Sequence, residues 1–131
     1  MIRSYLLLHR KTGESESKSV GFFRTRIAAE EDIMQLRWQP AYREHQDGFI
    51  IEEYELATTV HFSNNTGGEL ELTVEPWGAL EVIPAGSKFA IHYAAPKDGN
   101  DTSLVDLQGS SMTFWCEGDP YDLVVDGIQV T

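Results

Sequence analysis

Acidic residues alternate with apolar ones along residues 69–75, whose sequence is Glu-Leu-Glu-Leu-Thr-Val-Glu. Neighbouring carboxylates could act as a general acid and a general base, but such work usually needs partial burial to shift their pKa values. The alternation predicts a β-strand with one buried and one hydrated face, and the carboxylates belong to the hydrated face. We therefore interpret Glu69, Glu71 and Glu75 as a binding surface rather than as catalytic groups.

The histidines and the single cysteine are the other residues that could do chemistry. His61 and His92 fall on the polar sides of predicted strands, but their spacing matches no metal-binding motif, and we interpret all four histidines as surface residues. Cys116 lies in phase with Met112 and Phe114, which predicts a buried thiol with no base beside it. We expect no enzyme and no cofactor, and we leave open whether His61 and His92 bind a metal.

The charge of the chain is strongly negative and unevenly distributed. Ten Lys and Arg stand against 21 Asp and Glu in 131 residues, a formal net charge of −11. Residues 57–131 contain two basic residues, Lys88 and Lys97, against eleven acidic ones, whereas residues 1–56 contain eight against ten. This balance disfavours nucleic acid and anionic membranes as partners and favours a basic protein.

The first half of the chain, residues 1–56, predicts a ββαβ unit with one amphipathic helix. Thr25 can cap this helix, and Pro40 stops it. The core-facing stripe of the helix is expected to be Ala29, Ile33 and Leu36. Three short apolar segments have the composition of strands, namely residues 4–9, 19–24 and 49–56.

The second half, residues 57–131, predicts an acidic all-β module. Its hydrophobic period is two, and turns separate about seven short strands, which is typical of an antiparallel β-sandwich or a partly open barrel. Composition, charge and period all change near residues 56–58, so we place a module boundary there. We expect an α+β protein whose two modules pack together as one compact unit.

The first module resembles a small, uncharacterised bacterial domain family with ββαβ architecture. The resemblance implies a fold and carries over no functional residue. It is carried by Tyr5-Leu6-Leu7, Val20-Gly21-Phe22-Phe23, Ala28-Ala29-Glu30, Ile33, Leu36, Gly48-Phe49-Ile50-Ile51, Tyr54 and Leu56.

The charge pattern favours a non-catalytic acidic protein that inhibits a basic protein partner. In this respect the chain resembles the immunity proteins with which bacteria neutralise toxins such as nucleases, because carboxylates can replace phosphates in a basic cleft. We expect a cytoplasmic protein, since no secretory or membrane-spanning segment is evident, and we leave its oligomeric state open. The predicted partner-binding residues are Glu69, Glu71, Glu75, Trp77, Glu81, Asp98, Asp101, Asp106, Asp119 and Asp122.

Four other interpretations stay open. One is a small-molecule or sugar-binding sandwich that uses Trp77, Trp115 and His92. The others are an enzyme, an adaptor or structural module, and an acidic protein whose charge only keeps it in solution. A binding partner would distinguish these interpretations from the inhibitor hypothesis.

Overall fold

The computed structural model describes residues 2–95, 99–116 and 120–130. The chain forms an α+β protein, mostly of strands with one helix, and its strands build several sheets. It divides into two compact units, Met1–Glu55 and Leu56–Thr131. No helix in the described part of the chain is long and apolar enough to cross a lipid bilayer.

The first unit contains an antiparallel three-stranded sheet in the order β2-β1-β3. Its central strand is buried, because Leu6 and Leu7 are almost completely shielded from solvent. The elements are β1 (Arg3–His9), β2 (Lys18–Phe23), α1 (Arg26–Leu36) and β3 (Phe49–Glu55).

Helix α1 begins where the sequence predicts, since the Thr25 hydroxyl accepts the N–H of Ala28 at 3.1 Å. The predicted stripe is only partly buried: Ala29 is fully buried, whereas the other two positions are half-buried. Ile27 and Met34 are about two-thirds exposed on the other side of the helix. The helix is therefore less amphipathic than predicted, because the small sheet covers only the side that carries Ala29.

The second unit consists of two four-stranded sheets. We call them the β7 sheet, in the order β11-β10-β7-β4, and the β5 sheet, in the order β6-β5-β9-β8. The described residues of this unit thus contain eight strands, where the sequence predicts about seven. The strands are β4 (Thr58–Ser63), β5 (Leu70–Glu75), β6 (Ala79–Ile83), β7 (Lys88–Tyr93), β8 (Leu104–Gln108), β9 (Ser111–Trp115), β10 (Tyr121–Val125) and β11 (Ile128–Gln129).

One strand pair departs from the predicted antiparallel architecture. Strands β5 and β9 are parallel, with Leu72 beside Met112 and Val74 beside Phe114. Parallel neighbours need a long connection, and here the connection contains β6, β7 and β8. Local alternation along either strand carries no information about a pairing over such a distance.

The two sheets pack face to face through aromatic side chains. Phe114 of the β5 sheet makes edge-to-face contacts with Tyr93 and Phe62 of the β7 sheet, at ring-centre distances of 5.6 and 6.2 Å. Phe62 also stacks on Phe89, 5.0 Å away in its own sheet. These contacts make the second unit sandwich-like, with Phe114 completely buried at its centre.

Candidate functional site

The candidate site is the outward side of the β5 sheet, which we call the acidic face. Residues that pair directly across neighbouring strands point to the same side of a sheet, so the register defines which side chains share this face. The outward rows are Val82–Glu71–Ser111–Gln108, Leu80–Thr73–Thr113–Asp106 and Glu75–Trp115–Leu104.

Three carboxylates lie on the acidic face. Glu71 and Asp106 are exposed, and Glu75 is half-buried at the end of its strand. The four strands of the β5 sheet contain no Lys, Arg or His, so no basic side chain of this sheet offsets the carboxylates. The face therefore presents a negative potential to an approaching molecule.

Apolar side chains flank these carboxylates on both sides. On β6, Leu80 and Val82 are 59% and 49% exposed. On the other side, Trp115 and Leu104 are direct cross-strand neighbours and are 44% and 54% exposed. A sheet face in contact with water usually carries polar residues, so these four positions depart from the pattern of a face that is only hydrated.

The acidic face is small. Three spacings between four strands span about 14 Å, and five residues along a strand span about 17 Å, which gives about 240 Å² in projection. One partner in a standard protein–protein interface contributes about 800 Å² of accessible surface. A protein bound to this face would therefore also contact the strand edges or turns around it.

Two further predicted binding residues lie beside this face. Glu69 is exposed and directly precedes β5, where it adds a carboxylate at that end of the strand. Trp77 is half-buried in the turn between β5 and β6. Of the predicted residues, the structure thus brings Glu71, Glu75 and Asp106 onto one face, with Glu69 at its border.

Glu81 does not share this face, contrary to the prediction. It pairs with the buried Leu72 and is half-buried, so it lies on the inward side of β6. Its charge acts on a core residue: burial above all, and next the negative charge of Glu81, raise the pKa of Tyr121 to about 12. The alternation Leu80-Glu81-Val82 alone indicates that Glu81 points outward. The register of the β5–β6 hairpin turns it inward instead, because it pairs Glu81 with Leu72.

Asp122 is also not an exposed binding residue. It is 4% exposed on β10, in the β7 sheet, and its carboxylate accepts a hydrogen bond from Gln129 Nε2 at 2.6 Å. The short strand β11 turns back beside β10 and brings Gln129 over this position, which the sequence of β10 alone could not reveal.

Asp101 and Asp126 have structural partners in loops. Hydrogen bonds from Ser103 and then from the Tyr93 hydroxyl hold the pKa of Asp101 below its usual value. Asp126 accepts the backbone N–H of Lys88 at 3.0 Å, and a hydrogen bond with Ser87 is the main cause of its lowered pKa. Both carboxylates therefore order the chain around β7. Asp98 and Asp119 lie outside the described residues.

The alternative sugar-binding set is not assembled. Trp115 faces outward from the β5 sheet, whereas His92 lies on the outward side of the β7 sheet, where its Nδ1 is 2.8 Å from the Thr59 hydroxyl. Within the described residues, no group of three or more His, Cys, Asp or Glu is placed to hold a metal ion. Cys116 is buried, as its phase predicts.

The histidines of the first unit have structural partners, and one of them is not at the surface. His9 is buried against the rings of Tyr42 and Phe49, and its Nε2 lies 2.9 Å from the carbonyl of His45. The backbone N–H of Thr12 donates to His45 Nδ1 at 3.1 Å. The two histidines therefore fasten the segment after β1 to the segment before β3.

Asn64 positions the acidic face, a role that was not predicted. Its buried side chain donates to the carbonyls of Gly68 and Ile83, at 2.9 and 3.0 Å. These bonds join the segment that leads into β5 to the end of β6. The sequence 64–68 is typical of a turn, and no local signal marks its first residue as buried.

Comparison with protein-family models, with curated proteins and with solved structures found no match to this chain. The resemblance of residues 1–56 to a bacterial ββαβ family stays a prediction. The function is therefore inferred from the composition and geometry of the acidic face.

Proposed function

We propose that this chain is a non-catalytic binding protein whose acidic face docks onto a basic protein. The observation that carries the proposal is the arrangement of Glu71, Glu75 and Asp106 among four exposed apolar side chains, in a sheet without a basic residue. We further propose that this basic protein is a toxin such as a nuclease and that docking inhibits it.

The carboxylates supply attraction and orientation. Glu71 and Glu75 are four residues apart on one strand, about 14 Å along it, and Asp106 lies two strands away, about 10 Å across the sheet. A nuclease holds the phosphates of its substrate with Lys and Arg in a cleft. Carboxylates fixed on a rigid sheet can occupy such a cleft, and their field speeds the encounter.

The apolar side chains supply binding energy at short range. Trp115 and Leu104 on one side, with Leu80 and Val82 on the other, are the kind of residues that become buried in the centre of protein interfaces. Each lies next to a carboxylate-bearing strand or on one. Docking would therefore bury apolar surface and, at the same time, pair the carboxylates with Lys or Arg.

The test is a calorimetric titration with the product of the gene adjacent to that of this chain, as the candidate basic partner, at low and at physiological salt. We expect 1:1 binding that weakens as salt rises. A triple variant, Glu71→Gln, Glu75→Gln and Asp106→Asn, should lose at least tenfold in affinity at low salt and show a flatter salt dependence.

A matched control removes the same charge from the first unit. Glu16→Gln, Glu30→Gln and Glu31→Gln change three exposed acids and should leave the affinity within about threefold. Inhibition of the partner's activity by the unmodified chain would support the proposal that the partner is a toxin and that docking inhibits it. Absence of binding, or equal losses in both triple variants, would contradict the proposal.

A further inference from the structure

Strand β8 is an edge strand whose residues are all exposed. It pairs with β9 on one side, and within the described residues no strand pairs with its other side. Among the described strands of five or more residues, it is the one without a buried or half-buried residue. Leu107, the fourth residue of this strand, is 70% exposed. Such an edge presents a template for pairing with another strand.

The turn after β8 shows which backbone groups point outward from the sheet. Gln108 pairs with Ser111 around a two-residue turn, and Gly109 at its first position has a φ of 56°, as in type II′ hairpins. In such hairpins the pair next to the turn exchanges hydrogen bonds, and bonded pairs then alternate along the strands. The N–H and C=O groups of Val105 and Leu107 therefore point away from β9, toward the open edge.

The side chains of β8 define what an added strand would need. Val105 and Leu107 are in phase with the buried Phe114 and Met112, so their neighbours on an added strand would continue the apolar core. Asp106 points to the acidic face, so its neighbour on that strand would be Lys or Arg. The complementary segment therefore alternates apolar and basic residues.

We infer that β8 pairs with an extended segment of the basic partner that alternates apolar and basic residues. This inference rests on the proposed function, because it takes the partner to be basic. Charge complementarity supports this occupant: Asp106 and the adjacent acidic face contain no compensating base. A second copy of the chain fits less well, because pairing would bring together two molecules that each carry a net charge of −11. Strand addition also supplies contact area that the small acidic face lacks.

The first test uses a synthetic seven-residue peptide, Val-Lys-Val-Lys-Val-Lys-Val, with blocked ends, and a twin with Glu in place of Lys. Nuclear magnetic resonance titration of the full chain should show binding of the lysine peptide alone. The amide protons of Val105 and Leu107 should become at least tenfold better protected from hydrogen exchange at saturation. Failure of the lysine peptide to bind at about 1 mM would overturn the inference.

The second test compares Leu107→Pro with Leu107→Thr. Proline removes the outward N–H without removing a bond between β8 and β9, so both variants should fold. We expect Leu107→Pro to weaken peptide binding at least tenfold and Leu107→Thr to stay within about threefold. Equal binding by the two variants would overturn edge pairing. A dimer of the unmodified chain that Leu107→Pro dissociates would show that the edge pairs with a second copy, and would overturn the basic partner as its occupant.

The two proposals can fail separately. If the full basic partner binds Leu107→Pro as well as Leu107→Thr, while the acidic-face triple variant loses affinity, docking through the face stands and edge pairing does not. If neither the partner nor the peptide binds, both proposals fail.

Discussion

Replacement of Asn64 by alanine is expected to destabilise the second unit by about 4 kcal/mol. The side-chain amide donates to the carbonyls of Gly68, Ile83 and Pro84, and the side-chain oxygen accepts from Thr66. The amide has two N–H groups for these three carbonyls, so one N–H is shared. The two donated bonds and the bond accepted from Thr66 contribute about 1 kcal/mol each, and the buried carbonyl of Ile83, left without its donor, costs about 1 kcal/mol more. This loss is a large fraction of the stability of a small domain.

The measurement is urea unfolding, followed by tryptophan fluorescence and circular dichroism. Asn65→Ala is the matched control, because Asn65 is an exposed neighbour whose side chain contacts only Ser63 among the described hydrogen bonds. We expect this control to change the free energy of unfolding by less than about 0.5 kcal/mol. A loss below about 1 kcal/mol for Asn64→Ala would refute the assignment of Asn64 as the anchor of the β5–β6 hairpin.

Replacement of Asn64 by aspartate separates the contribution of the amide hydrogen bonds to stability from that of the side chain's size and shape. The substitution keeps the side-chain size and the acceptor for Thr66, but it places a carboxylate against the carbonyls of Ile83 and Pro84. Burial and these carbonyls raise the pKa of the introduced carboxyl, so the folded state holds its proton to higher pH than the unfolded state does. Stability relative to the unmodified chain should thus be greatest at low pH and fall as the pH rises above about 4. If Asn64→Asp instead gains stability relative to the unmodified chain as the pH rises, the described geometry around residue 64 is wrong.

Three further predictions concern the helix cap, the core and Tyr93. Thr25→Ala should destabilise the first unit by about 1 kcal/mol through loss of the bond to Ala28, and Thr25→Ser should retain most of it, as measured by thermal unfolding. Phe114→Ala should cost about 3–5 kcal/mol in urea unfolding and Phe114→Leu less than half as much, because the ring is fully buried between the two sheets. Burial, and next the bond to Asp101, raise the pKa of Tyr93 from 10.0 to about 12. The unfolded state therefore loses this proton first, and stability should fall as the pH rises from about 10 to about 12, less steeply in Tyr93→Phe, as measured by urea unfolding at several pH values.

Local features of the fold could be predicted from the sequence. The alternation of residues 69–75 predicts β5, and the structure confirms it, with Leu70, Leu72 and Val74 buried. The cap at Thr25 is likewise confirmed. The parallel pairing of β5 with β9 could not be predicted, because it joins segments about forty residues apart and depends on how the whole chain between them folds.

The acidic face was predicted only in part, because it too depends on how neighbouring strands pair. Glu71 and Glu75 follow from the period of a single strand. Glu81 and Asp122 were misplaced because their orientation depends on a neighbouring strand, β5 in one case and β11 in the other. Asp106 shares the face because it pairs with Thr113, which pairs with Thr73 of β5, and this register also could not be predicted from the sequence of β8 alone.

The phase of β6 supports the proposed docking face over a charge that only maintains solubility. A strand with the sequence Ala-Leu-Glu-Val-Ile would normally turn Leu80 and Val82 inward and Glu81 outward, and a register shift by one residue would do so. The observed register instead buries Ile83, keeps Glu81 on the inward side and exposes both Leu80 and Val82. A surface under selection for solubility alone gains nothing from this inversion, because it exposes apolar area and half-buries a carboxylate. Local rules are broken mainly where function requires it. The inverted strand borders the carboxylates of β5, so in the proposed docking Leu80 and Val82 would contact the basic partner. Replacing both by threonine should then weaken docking without lowering stability.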